Sequence, residues 1–207
     1  MENTPYLYDT LVQVLRQHRN WIDLRHLKTL AWMMVGLIHS GSISLCAWTP
    51  YVVSRAGYSQ STVRRFRRWL DNDRIDVHAL YGPLMHQALI GWVDKTLYVA
   101  LDTSMLWNTF CLVRLSVIYR GRAVPLVWCV IAHPSSAVAY EEYQGLLEKA
   151  ATLVPVACNV VFLADRGFAD TELMHHLKRL GWHFRIGIKS NFWIYRSGPG
   201  GFQVRAI

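Results

Sequence analysis

The chain has 207 residues, of which 52% are hydrophobic and 17% charged, so it has the means to bury a core and is not a disordered tail. Its formal net charge of +8 favours a polyanionic partner, either nucleic acid or an anionic membrane surface. The start, Met1 to Pro5, is polar and lacks the basic-then-apolar order of a secretory signal.

The first part of the chain follows helical spacing. Apolar residues recur every three or four positions over Asp9 to Arg19 and over Asp23 to His39. The most apolar stretch, Leu30 to Ile38, is far shorter than the ~20 residues of a membrane span, and reads as a buried core helix. Pro50 opens a short helix to about Ala56, and Gly57 breaks it. Ser59 to Asn72 is the next helix, with Ser59 or Ser61 as its N-cap. Gly82-Pro83 interrupts a later helical stretch that ends near Trp92.

From Leu97 the rhythm changes. Leu97 to Leu101 is an apolar run that stops at Asp102. Thr109 to Tyr119 and Ala123 to Ala132 read as strands joined by the turn Arg120-Gly121-Arg122, and Pro125 puts the second of them at a sheet edge. Tyr140 to Leu153 is an amphipathic helix with Tyr140, Tyr143, Leu146, Leu147 and Ala150 on one face, and Pro155 stops it. Val160 to Ala164 is a second apolar run, stopping at Asp165. Asp170 caps a helix through Leu180 that Gly181 closes, and Phe184, Ile186 and Ile188 alternate as a fifth strand. Strands joined by short turns predict antiparallel pairing, and strands separated by helices predict parallel pairing. The fold class is therefore α/β: a mixed five-stranded sheet with flanking helices over 96–207, preceded by an α-helical region over 1–95.

Asp102 and Asp165 each end an uninterrupted apolar run, the mark of a buried central strand. A carboxylate just past such a strand lies at the rim where open sheets bind ligands. If the two strands are parallel neighbours, both acids enter one crevice about 5 Å apart, where a divalent cation with a preference for hard oxygen ligands relieves their repulsion. The other reading of each aspartate is an ordinary turn former.

Leu101-Asp102-Thr103-Ser104, the hairpin Tyr119-Arg120-Gly121-Arg122-Ala123-Val124-Pro125-Leu126 and Ala164-Asp165-Arg166-Gly167-Phe168 resemble the DDE transposases of bacterial insertion sequences. The resemblance covers most of the chain and is strongest from about 98 to 190. It implies an RNase H-like catalytic domain in which Asp102 and Asp165 are the first two catalytic, metal-binding acids. It also implies Mg²⁺ or Mn²⁺ as cofactor, and phosphodiester cleavage followed by strand transfer at transposon ends. The implied partner is double-stranded DNA, both transposon ends and target, bound by at least a dimer, with no membrane involved and a cytoplasmic, nucleoid-associated location. The family's third acid is a Glu in a Tyr-x2-Arg-x3-Glu-x6-Lys helix downstream of the fifth strand, and that pattern does not occur here. The resemblance thus implies a C-terminally truncated member with an incomplete domain, unable to complete the reaction alone. Glu141, Glu142 and Glu172 read as first-turn helix acids, not as replacements. Two alternatives stay open: a DNA-binding inhibitor or remnant without catalysis, and another RNase H-like nuclease that cuts without joining.

Further candidates surround this core. Arg166 adjoins the second acid and Lys189 follows the fifth strand, each either a DNA contact or a surface charge. In helix 59–72, Val63, Phe66 and Leu70 make the core face and Arg64, Arg65, Arg67 and Arg68 occupy the others. With the short helix and Gly57 before it, the segment reads as a helix-turn-helix whose arginines bind DNA phosphates, or as a solvated basic face on a bundle. The nine histidines form no metal motif, and His175-His176 reads as structural or exposed. Trp32, Trp107 and Trp128 read as packing residues, with stacking on a displaced base as the alternative for Trp107. Cys46, Cys111, Cys129 and Cys158 form no C-x-x-C pair and read as buried free thiols.

Overall fold

A computed structural model of the chain describes residues 4–17, 21, 23–53, 58–189, 193–195 and 201–203. The chain divides into two units, Met1–Pro83 and Leu84–Ile207.

The first unit is helical. Helix α1 (Thr4–Gln17) begins ahead of Asp9, because Pro5 is tolerated in a first turn, where no intrahelical amide bond is due. Helix α2 (Leu24–Ser40) is capped by the Asp23 carboxylate, which accepts from the Arg25 N–H, and Gly41 closes it at φ +60°. Trp32 of α2 stacks on Tyr8 of α1 with ring centroids 4.2 Å apart. A short helix α3 (Leu45–Trp48) leads into a 3₁₀ turn, Thr49–Tyr51. Pro50 thus lies in the first turn of a short 3₁₀ helix, as expected, but that helix ends at Tyr51 and does not run on toward Ala56; Ala56 and Gly57, the expected end and break, fall outside the described residues.

Helix α4 (Ser59–Leu70) starts at Tyr58 without a side-chain cap, so neither Ser59 nor Ser61 caps it. It buries Thr62, Val63, Phe66 and Trp69, and Leu70 is exposed. Trp69 takes the inward position expected of Leu70 because its indole N–H donates to the His26 carbonyl at 3.1 Å, tying α4 to α2. Phe66 is fully buried in a cluster with Met33, Trp48, Val52 and Trp69. Gly36 of α2 admits Trp48 into that cluster: a Cβ on Gly36 would lie 2.9 Å from Trp48 Cγ and nearer still to its Cβ. Among the described residues no single helix is long and apolar enough to cross a membrane.

Helix α5 (Val77–Leu89) runs through Gly82-Pro83 without the expected interruption, at the loss of one amide donor. The second unit is built on a mixed sheet of β1 (Thr96–Leu106), β2 (Phe110–Tyr119), β3 (Arg122–Ala132), β4 (Asn159–Ala164) and β5 (His183–Ile186) in the order β3-β2-β1-β4-β5. The first three strands pair antiparallel and β1-β4-β5 pair parallel, as the linker lengths require. β3 is an edge strand, which is where Pro125 is tolerated; Ser116 pairs with Pro125 and Leu115 with Val127, leaving Leu126 as the extra residue of a bulge. β5 stops at Ile186, so Ile188 lies beyond it. A separate antiparallel pair, β6 (Trp193–Tyr195) with β7 (Gly201–Gln203), was not anticipated.

One face of the sheet is the core. Leu97, Val99 and Leu101 point to it with Val113, Leu115, Val117 and Phe162. Helix α6 (Tyr140–Leu153) supplies Tyr143, Leu146, Leu147 and Ala150, the face its spacing predicted, and α7 (Thr171–Arg179) supplies Leu173 and Leu177. Asp170 caps α7 and Gly181 follows it at φ +71°. Between the two helices the Tyr140 hydroxyl and Nδ1 of His176 share a buried hydrogen bond. Burial, helped by the Arg179 charge, holds the His176 pKa below its ordinary value, which favours the neutral ring. Its neighbour His175 is exposed. Of the cysteines only Cys111 is buried; Cys46 is exposed and Cys129 and Cys158 are half-buried, so the expectation of four buried thiols is corrected.

Replacing Gly36 with Ala should overpack the α2–α3 contact and lower stability by about 1–3 kcal/mol, read from urea unfolding. An unchanged midpoint would contradict the close approach of Trp48 to Gly36.

Candidate functional site

Asp102 does not end its strand, as the sequence suggested: β1 continues to Leu106. The continuation exists because residues 103–106 pair on their other side with β2, ending at a three-residue turn, 107–109, in which Trp107 and Asn108 have φ of +51° and +56°. Such primed turns match the natural twist of a hairpin. The parallel pairing of β1 with β4 is what stops near Asp102. It runs from Thr96 opposite Asn159 to Ala100 opposite Leu163. Carried two residues further, the same register sets Asp102 beside Asp165, on strands whose spacing is about 5 Å. Alternation assigns Asp102 to the face opposite Leu97, Val99 and Leu101, and the Asp102 side chain is 61% exposed.

The Asp165 turn is held by its own sequence. Asp165 follows the last residue of β4 and caps a 3₁₀ turn, Arg166–Phe168, by accepting the Gly167 N–H at 2.7 Å. Gly167 leaves room for that carboxylate, since a Cβ there would meet Asp165 Oδ1 at 3.0 Å. Phe168 is buried, edge-on to Tyr143 of α6, and anchors the turn in the helix layer. Gly187, just past β5, donates its N–H to the Ala164 carbonyl, and a Cβ on it would lie 3.0 Å from the Arg166 backbone nitrogen. The Asp-Arg-Gly-Phe element is thus a cap, a space and an anchor that present one carboxylate at the carboxyl end of β4. Arg166 and Lys189 are both exposed, Arg166 in this turn and Lys189 beyond the carboxyl end of β5.

One neighbour escaped the sequence reading. Arg114 of β2 is the cross-strand partner of Asp102, and its Nη2 lies 3.4 Å from Asp102 Oδ2. Its signal was present: Arg114 is the lone charge in Phe110–Tyr119, an otherwise apolar strand. Gly187, between Ile186 and Ile188, was missed as well, because nothing local to it marks a close approach. Among the described residues no group of three or more His, Cys, Asp or Glu side chains is gathered for a metal, so no third acid joins the pair. Glu172 caps no such gap: it sits in the first turn of α7, and Glu141 and Glu142 in that of α6.

The basic helix is a second candidate surface. Arg64, Arg67 and Arg68 of α4 are exposed and, at spacings of three and four, form one stripe. Arg65 does not join them. It is half-buried, its guanidinium carbon 5.4 Å from the centre of the Phe66 ring, and its Nε and one Nη are buried without a hydrogen-bond partner. Trp107, expected to pack, is 86% exposed at the tip of the β1–β2 hairpin. Trp128 of β3 is half-buried.

No protein-family model matches the chain, and no curated protein matches it.

Gly187→Ala should displace the Asp165–Arg166 backbone by a few tenths of an ångström and lower stability by about 1 kcal/mol. The check is the amide spectrum of residues 165–167 beside a urea melt; unshifted amides would show that Gly187 does not hold this turn.

Proposed function

We propose that this chain acts on DNA, with Asp102 and Asp165 as the first two carboxylates of a cation-dependent phosphoryl-transfer centre like that of the bacterial DDE transposases. The observation that supports the reading is the parallel register of β1 and β4 up to Ala100 opposite Leu163, which extended by two residues leads to Asp102 and Asp165. The mixed order of antiparallel hairpins followed by parallel strands, with helices between the latter, supports an RNase H-like fold for this unit.

Mg²⁺ or Mn²⁺ fits the donor set. Asp102 and Asp165 offer hard oxygens from two exposed carboxylates, and Mg²⁺ commonly takes only one or two from a protein. Asp165 Oδ1 is used as a cap, which leaves Oδ2 as its donor. When bound, such a cation supplies Lewis acidity at a phosphoryl oxygen and a more acidic water. The chain's own residues do the positioning. The carboxylates hold the cation, Arg166 and Lys189 bring positive charge toward the same end of the sheet, and the Arg64-Arg67-Arg68 stripe of α4 binds duplex phosphates. In this reading the two acids, the basic residues beside them and the α4 stripe bind DNA and a cation. Occupation of transposon ends without catalysis is the second reading, favoured by the two-acid count and the exposed arginine stripe.

Duplex binding measured across a salt series tests both halves. Replacing Arg64, Arg67 and Arg68 together with Ala should weaken binding and reduce the salt slope by roughly three. Mn²⁺ should tighten wild-type binding, and Asp165→Asn should abolish that gain. Unchanged affinity and slope in the arginine variant would sink the α4 assignment; a full Mn²⁺ gain in Asp165→Asn would sink the acid pair.

A further inference from the structure

We propose that Arg114 is the phosphate-holding residue of the acidic site: it pairs with Asp102 in the absence of a cation and turns to a non-bridging oxygen of a DNA phosphodiester once a divalent cation takes the carboxylates. The inference rests on the acid-pair reading above and goes beyond it, since it names the group that recognises the substrate.

Three features of Arg114 set it apart from an ordinary cross-strand ion pair. The first is its bond. A guanidinium has five N–H donors in a planar fork suited to two-point contact with an oxyanion. Arg25 uses that fork on Asp23, through Nε at 3.0 Å and Nη2 at 2.8 Å. Arg114 touches Asp102 through Nη2 alone, at 3.4 Å. The second is its unmet need. Arg114 Nε is buried without a hydrogen-bond partner, and so is Ser116 Oγ, two residues along on the same face of β2. Beside Asp102 the Arg114 Nε–H thus has no acceptor, although Ser116 brings a hydroxyl to the same face, and buried donors without acceptors are rare in folded proteins. The third is charge. A cation at Asp102 and Asp165 neutralises both carboxylates, which removes the reason for Arg114 to face Asp102. The guanidinium then leaves a surplus positive charge at the rim of the sheet. A phosphodiester carries one negative charge and the paired oxygens that the fork fits.

Cation and DNA are then coupled through Arg114, and coupling is reciprocal, so it is readable from the cation side. The test is Mn²⁺ binding to the full chain, followed by electron paramagnetic resonance, with and without a short duplex oligonucleotide. In the wild type the duplex should tighten Mn²⁺ binding about tenfold. Arg114→Gln should bind Mn²⁺ without DNA at least as tightly as the wild type, because a repelling charge is gone, and should lose the tenfold gain. Arg114→Lys, which keeps the charge without the fork, should retain part of it. Persistence of the full gain in Arg114→Gln would overturn the proposal. So would loss of DNA-free Mn²⁺ binding in both variants, which would make Arg114 a support of the carboxylates. A wild type that binds no Mn²⁺ at all would remove the acid-pair reading and this inference with it.

Discussion

The pairing of β1 with β4 is the constraint on which the rest of the site depends. In a sheet, neighbouring strands are held at a fixed spacing and in a fixed register, so residues distant in sequence are brought level with no freedom to drift. Ala100 opposite Leu163 is the last pair of that register, and two residues further on it leads to Asp102 on one strand and Asp165 just past the other, 63 positions apart in the chain. The register is itself enforced by burial. A one-residue slip of β4 would turn Val160 and Phe162 out of the core, and both are essentially inaccessible in the folded chain. The apolar runs that precede the two acids therefore act as rulers as well as core.

What lies behind the sheet fixes what lies at its rim. Tyr143 of α6 packs edge-on against both Tyr140 and Phe168, and Phe168 belongs to the same turn as Asp165. Loosening the α6 layer would therefore loosen a carboxylate on the far side of the strand. Gly187 acts from the other direction, by letting the chain after β5 pass against the Arg166 backbone. Arg114 and Asp102 are held by hydrogen-bonded partners in β2 and β1, so their spacing is set by backbone pairing and not by side-chain choice. The basic stripe of α4 is placed by equally plain means: Phe66 and Trp69 are buried, and the positions between them fall outside.

Much of this was legible in the sequence, and the reasons are local. Fully apolar runs identified β1 and β4, the spacing of Tyr140, Tyr143, Leu146, Leu147 and Ala150 identified the inner face of α6, and Asp170 and Gly181 marked the ends of α7. Pro125 placed β3 at an edge. What failed was non-local. The full length of β1 depends on β2 offering partners beyond Asp102, which no window around Asp102 reveals. Leu70 and Trp69 lie at equivalent helical spacings, and a hydrogen bond to His26, far away in sequence, chose between them. The chemistry of Trp107 suggests packing, although its place in a three-residue hairpin turn leaves it outside. Arg114 was overlooked because its meaning comes only from the strand beside it.

The central claim is that one cation is shared by Asp102 and Asp165, and it is tested most directly by Mn²⁺ binding to the intact chain without DNA. The account predicts that the wild type binds Mn²⁺, that Asp102→Asn and Asp165→Asn each lose the same ion, and that the double variant loses no more than either. Wild-type Mn²⁺ affinity retained by either single variant would contradict it, since the two carboxylates would then be neighbours in the sheet without being partners in a site.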